Sequence, residues 1–191
     1  GIGTVTDGYQ PVEMRYRLTR YCLEQLARFE FPVSVQTKSS LVLKDMDLLR
    51  RMRDVEVGVT ITTMDDRMRR AFEPFSSPSE RRVEALKTLN EAGIRTWAFV
   101  GPILPGATGT TLPALLVAIR DAGTRHVMFD RLRFRPGIWE RVEPAVRGFR
   151  MDGMYRSARE DPAFFGPLEE RLVSLGKELG LDVEPAFPHG W

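Results

Sequence analysis

Short β-branched runs alternate with stretches whose apolar residues recur every three or four positions, and this alternation fills most of the 191 residues. The runs are Ile2–Thr6, Val33–Thr37, Val55–Thr60, Thr96–Val100 and His126–Phe129, the last ending at either Phe129 or Phe134. Each is short and rich in Val, Ile, Thr or Phe, which suits a strand. Helical patterns lie between them. Residues 11–29 set Leu18, Cys22, Leu26 and Phe29 on one side, which makes Cys22 a buried structural thiol. Residues 43–53 do the same with Met46, Leu49 and Met52, and a shorter helix follows at 65–72. Ser77-Pro-Ser-Glu80 reads as a helix start, with a Ser cap, a Pro in the first turn and a Glu three residues on. That helix runs to Ala92 and stops at Gly93. Others are predicted at 112–122, 138–146 and 162–179, the first closed by Gly123 and the last by Gly180. Met151–Pro162 reads as a polar connector and Glu184–Trp191 as an irregular tail.

Strand starts about 20 to 40 residues apart match βα units with right-handed crossovers, so the sheet is predicted to be mostly parallel. Five strands are too few for a closed eight-strand barrel. A doubly wound sheet and an open, partial barrel both remain. A chain of this length suits one domain: residues 1–150 form its α/β body, and 151–191 add a connector, a helix and a tail packed on that body. No repeat or low-complexity tract interrupts it.

Composition narrows the class without naming a function. A content of 42% hydrophobic and 28% charged residues is ordinary for a globular protein. No apolar run approaches the roughly 20 residues needed to span a bilayer, and GIGTVTDGYQ lacks the layout of a signal peptide. One cysteine rules out an intramolecular disulfide and suits a reducing compartment, so a cytoplasmic location with no membrane partner is expected. The formal net charge of +2 makes no strong electrostatic case for nucleic acid.

In either architecture ligands bind at the carboxyl ends of parallel strands. Those ends read Thr6-Asp7-Gly8-Tyr9-Gln10, Thr37-Lys38-Ser39-Ser40, Thr60-Ile61-Thr62-Thr63-Met64-Asp65, Gly101-Pro102 and Asp130-Arg131-Leu132-Arg133. The opposite ends are plainer, as in Phe31-Pro32 and Gly93-Ile94. One face is therefore predicted to hold a polar small molecule. Each residue also has an ordinary structural role open to it. Thr6 and Asp7 suit a helix cap, Lys38 a solvated strand end, and Asp65 an N-cap. Gly101 and Gly106 suit turns, and His126 a structural position. Two His and one Cys form no metal-ligand spacing and no nucleophile triad, and neither a GxGxxG nor a P-loop is present. The residues alone stop at an α/β domain with a polar ligand face.

Four collinear stretches carry a resemblance. GTVTDGYQPVE, VSVQTKSSLVLKDMDLL, VGVTITTMDDRMRRAFEPFSSPSERRVEALKTLNEAGI and FVGPILPG together resemble the spore photoproduct lyase-like branch of the radical SAM (S-adenosylmethionine) enzymes. Gly8 stands where that branch commonly has Pro, and Ala107–Gly109 where it usually has Asn-Asp. The resemblance implies an α/β fold: an open, partial parallel β/α barrel of the radical SAM type, truncated at its N-terminal strand. It further implies SAM and a [4Fe-4S] cluster at the strand carboxyl ends, with a 5′-deoxyadenosyl radical abstracting hydrogen from substrate. By the resemblance, Thr6 lies near the SAM amino group, Lys38 meets the SAM carboxylate, and Thr60 faces the cofactor. Val100-Gly101-Pro102-Ile103 would flank the adenine. Asp7, Tyr9, Gln10, Ser39 and Thr62 complete the cofactor-binding set expected at these strand ends. Ammonium–carboxylate and hydroxyl contacts of this kind are chemically apt.

One departure is serious. The family holds its cluster with a CxxxCxxC loop upstream of the segment matching VTDGYQ, and only Cys22 is present here. Iron–sulfur chemistry needs thiolates. The chain therefore reads as part of a longer polypeptide carrying that loop, with the 191 residues inactive by themselves. Two functions follow. One is the SAM-facing portion of a radical SAM enzyme of lyase or nucleic-acid repair type. The other is a cluster-free α/β domain that binds a nucleotide or nucleic acid. Arg131, Arg133 and Arg135, alternating on the last strand, suit either phosphate contact or, preferentially, solvated protection of a sheet edge.

Overall fold

The protein, seen in a computed structural model that describes residues 1–187, is built on five parallel strands in the order β1-β2-β3-β4-β5. The strands are β1 (Val33–Thr37), β2 (Val55–Thr60), β3 (Arg95–Ile103), β4 (His126–Arg131) and β5 (Asp182–Pro185). Each strand lies beside its predecessor in the chain. Crossovers of a single hand then put all the helices on one face, and the sheet is that of an open, partial barrel rather than a doubly wound one. His189 lies outside the described residues.

Register and alternation sort the side chains. Val35, Val57, Val59, Ala98, Val100, Val127 and Phe129 face the helices and form the core with Leu86, Leu89, Leu115 and Ile119. Those four come from α5 (Ser79–Glu91) and α6 (Thr108–Asp121). The opposite, concave face carries Gln36, Gly58, Thr60, Trp97, Phe99, His126 and Met128. Gly58 is required there. A Cβ at that position would stand 2.2 Å from the indole ring of Trp97, which lies across it. Gly58→Ala is expected to cost about 1–3 kcal/mol through overpacking, seen as a lowered midpoint in urea unfolding.

Several elements depart from the sequence reading. The Ile2–Thr6 strand shrinks to one parallel bridge, Ile2 to Val35. The single helix at 11–29 divides into α1 (Glu13–Tyr16) and α2 (Leu18–Arg28) at Arg17, whose φ of 52° is left-handed. Glu13 accepts the Thr19 amide and Gly8 O accepts the Thr19 hydroxyl, so α2 buries Thr19 and Leu23. Cys22 is consequently exposed, not buried. A 3₁₀ segment (Ser40–Asp45), started by the Ser39 hydroxyl accepting Leu41 N, and one turn of α3 (Met46–Leu49) replace the helix at 43–53. Ser77 caps nothing: the N-cap of α5 is Pro78, and Ser77 Oγ instead accepts Ser40 N. α7 (Trp139–Gly148) is followed by a further helix, α8 (Asp152–Glu160), where a connector was predicted. It buries Tyr155 among Phe72, Phe134 and Trp139. After α9 (Gly166–Glu178) comes β5, which pairs outside β4 and takes its last two residues from the predicted tail. β4 is therefore not the sheet edge, and Arg133–Arg135 lie beyond its end. The edge-protection reading of these arginines fails for that reason. Arg133 pairs instead with Asp130 at 3.1 Å.

Candidate functional site

Asp7 joins the N-terminal loop to the end of β1. Its Oδ1 accepts Tyr9 N at 2.8 Å and the Thr37 hydroxyl at 2.7 Å, and its Oδ2 accepts Lys38 N at 2.7 Å. An ionised carboxylate suits this work because it is acceptor-only with room for several donors. Asp7→Ala leaves all three donors unmatched. It is expected to destabilise by about 1–3 kcal/mol and to release the Lys38 amide to fast hydrogen exchange.

Past that junction lies a cavity of about 570 Å³, whose polar lining is Asp7, Gln10, Lys38, Ser39, Glu73 and Ser76. Tyr9, Pro11, Val12, Phe72, Pro74 and Phe75 supply the rest, and Phe75 is 86% exposed at its rim. The volume is that of an ordinary small-molecule site. The loop carrying Glu73–Ser76 follows α4 (Asp66–Phe72), which Asp65 caps by accepting Arg67 N and Met68 N.

Charges buried in this wall hold one another. Lys38 Nζ stands 2.8 Å from Glu73 Oε1, and Arg82 donates to Glu73 Oε2 at 3.0 Å. Arg82 also donates to Thr60 O at 2.7 Å and to Ser76 Oγ at 3.2 Å, and its side chain is wholly buried. Burial by itself would raise the Glu73 carboxyl, but Lys38 and Arg82 outweigh it and hold the carboxyl below its ordinary value. Burial pulls the Arg82 guanidinium downward against the attraction of Glu73, from so high a value that it stays charged. Lys38 remains partly open to the cavity, with two of its three donors uncommitted to Glu73.

Five of the sequence-predicted residues meet around this cavity: Asp7, Tyr9, Gln10, Lys38 and Ser39. Tyr9 is a buried wall rather than part of the mouth, because its hydroxyl donates to Asp45. Thr6 is exposed outside the lining. Thr60, Thr62, Gly101 and Pro102 stand at the ends of β2 and β3, also outside it. Thr60 Oγ1 lies 3.3 Å from Gln36 Nε2, whereas the Thr62 hydroxyl is buried with no partner among the described residues. Gly101, joined to Pro102 by a cis peptide, makes room for its own neighbour: a Cβ there would meet the Phe99 ring at 2.4 Å. The residue-by-residue reading missed Glu73 and Arg82. A signal for Arg82 existed, since it shares the i, i+3, i+4, i+7 face of α5 with Ala85, Leu86 and Leu89, all buried.

Comparison with known proteins decides the lineage of this strand-end site: residues 1–127 match the profile of the Radical SAM superfamily. The chain belongs to the radical SAM superfamily. An uncharacterised protein of Methanocaldococcus jannaschii is 42% identical over 104 residues, 54% of this chain and 40% of that protein. An uncharacterised protein of Mycobacterium tuberculosis is 31% identical over 201 residues, 98% of this chain and 59% of its own length. The chain thus spans 40% to 59% of these curated relatives. Streptococcus suis SuiB, solved bound to S-adenosylmethionine, superposes with a TM-score of 0.55 at 11% identity, over 92% of this chain and 36% of that one. That likeness is one of fold.

The residues answer differently to the two cofactors of the radical SAM family. A cavity with an ammonium that keeps two donors beyond its ion pair with Glu73, together with hydroxyls and apolar walls, fits SAM, which has a zwitterionic end and a flat base. An iron–sulfur cluster does not fit. The one cysteine is exposed on α2, and no group of three or more His, Cys, Asp or Glu gathers as a metal site among the described residues. No helix among them is long and apolar enough to cross a membrane.

Proposed function

We propose that this chain is the SAM-binding portion of a radical SAM enzyme and that the 570 Å³ cavity at the end of β1 takes the cofactor. The observation that carries the reading is Lys38, an ammonium that lines the cavity and keeps donors beyond its pair with Glu73, in a chain of this family. Lys38 binds the SAM carboxylate, with Ser39 and Gln10 as further hydrogen-bonding groups. Asp7 positions Lys38 by holding its backbone amide. Thr6, Thr60, Thr62, Gly101 and Pro102 lie outside this cavity, so their roles rest on the family resemblance and require the cofactor to extend from it: Thr6 toward the amino group, Thr60 and the unpartnered Thr62 hydroxyl toward the ribose, Gly101 and Pro102 toward the adenine. In the radical SAM family the cofactor supplies hydrogen-atom abstraction, with lyase or nucleic-acid repair chemistry as the branch-level expectation. The cluster's thiolates belong to a CxxxCxxC loop elsewhere in the full-length polypeptide, which is cytoplasmic.

The test is anaerobic iron and sulfide reconstitution of the full-length protein, followed by reduction with SAM present. Formation of 5′-deoxyadenosine is the expected result. A protein that binds SAM but forms none, and stays colourless after reconstitution, would instead be a cluster-free nucleotide-binding domain.

A further inference from the structure

A second cavity, of about 410 Å³, shares Tyr9 with the first and has no role in the proposed cofactor binding. It is lined by Glu13, Arg17, Arg20, Lys44 and Asp45, with Met14 and Leu41 giving it apolar walls. Three cations therefore face two carboxylates. Both carboxylates are already engaged. Glu13 accepts the Thr19 amide at 2.9 Å, and Asp45 lies between the Tyr9 hydroxyl at 3.0 Å and Arg20 at 2.9 Å. Arg20 is committed as well, with Asp47 at 2.7 Å and Glu24 at 3.1 Å beyond the lining.

Arg17 and Lys44 are different. Neither makes an ion pair among the described residues, and both are exposed at the cavity. The lining thus presents eight N–H donors, five on a guanidinium and three on an ammonium, without an acceptor for them. Arg17 also occupies the left-handed backbone turn between α1 and α2, at a φ of 52° that glycine or asparagine would adopt with less strain. A planar fork and a compact point charge lining one cavity suit an oxygen-rich anion such as a phosphate group.

The geometry points to a second ligand site, in which Arg17 and Lys44 grip a phosphate group within the cavity walled by Tyr9, Met14 and Leu41. The group belongs either to a free phosphorylated compound or to the backbone of a nucleic-acid strand. Both present phosphate oxygens to the same donors, the free compound as a dianion or higher and the strand as a monoanionic diester. Because Tyr9 lines both cavities, the phosphate-bearing molecule and the occupant of the first cavity bind at neighbouring sites. The site does not depend on the cofactor assigned to the first cavity.

Calorimetric titration of the full-length protein at low ionic strength tests this, with sodium pyrophosphate in one arm and a single-stranded oligodeoxynucleotide lacking terminal phosphate in the other. The parent is expected to bind in at least one arm, and Arg17→Gln/Lys44→Gln together to weaken that binding at least tenfold. Both side chains are exposed, so far-UV circular dichroism and SAM affinity should match the parent. Lys38→Gln, in the first cavity, is expected to leave pyrophosphate binding unchanged. Binding of pyrophosphate alone identifies a free phosphorylated compound, and binding of the oligonucleotide identifies a strand. The inference is overturned if the parent binds neither ligand at millimolar concentration or if the double variant binds as the parent does. Loss on Lys38→Gln in place of the double variant also overturns it. Failure to bind SAM would count against the cofactor reading and leave this result standing.

Discussion

Arg82→Met is expected to destabilise the protein by about 3–5 kcal/mol, because it removes one partner of a buried ion pair and leaves the other charged. Three acceptors lose their donor at once: Glu73 Oε2, Thr60 O and Ser76 Oγ. Lys38 still opposes Glu73, but its side chain is 38% exposed and replaces little of a wholly buried guanidinium. Urea unfolding of the variant gives the number. Removing both charges in Arg82→Met/Glu73→Gln should recover part of the loss, since no isolated buried charge then remains. A double variant as unstable as the sum of the singles would show that the pair does not interact. The same carboxylate sets a pH dependence. The Glu73 carboxyl is held below its ordinary value of 4.5 in the folded chain, so its contribution is complete above that pH. It is lost as the pH falls further, through the folded value. Glu73→Gln should flatten that part of the stability profile and leave the profile above pH 5 unchanged in shape.

Lys38→Met is expected to weaken SAM binding by the full-length protein at least tenfold, about 1.4 kcal/mol, in equilibrium dialysis. Glu73→Gln provides the contrast. It leaves the ammonium in place and removes its internal competitor, so SAM affinity should be retained or improved while stability falls. Equal SAM affinity for Lys38→Met and the parent would remove Lys38 from the cofactor site. The loss of fold stability in Lys38→Met should stay within about 1 kcal/mol, because solvent screens a pair with one partly exposed partner. Binding and folding effects of this one residue are therefore separable.

The two cavities share one organising residue. Tyr9 is held at its amide by Asp7 and at its hydroxyl by Asp45, so the polar helix entrance of the sequence supplies a wall common to both cavities. Burial, reinforced by Asp45, pushes the Tyr9 phenol upward and keeps it a donor at any working pH. An amide and an aromatic beside the start of a helix are explained by this: Tyr9 builds the wall and Gln10 faces the first chamber.

Local pattern was enough for β1 through β4, α4 with its Asp65 cap, α5, α6, α7 and α9, because alternation and helical spacing are imposed by each element's own geometry. It also located the carboxyl ends of the strands as the polar face, and the collinear stretches carried the family. Tertiary structure alone decided the rest. β5 runs into the predicted tail and ends on its Glu and Pro, a stretch that becomes a strand only because β4 offers a free edge. Arg17 breaks a continuous helical pattern because Glu13 reaches the Thr19 amide, and the turn this creates brings Cys22 to the surface. Lys38 lies far from Glu73 in the chain and Arg82 nine residues beyond it, each on a different segment. Their mutual neutralisation exists only once β1, the loop after α4, and α5 have packed together. Periodicity records which face of an element is apolar, but the partner of a buried charge is chosen by long-range packing, and no spacing along the chain contains it.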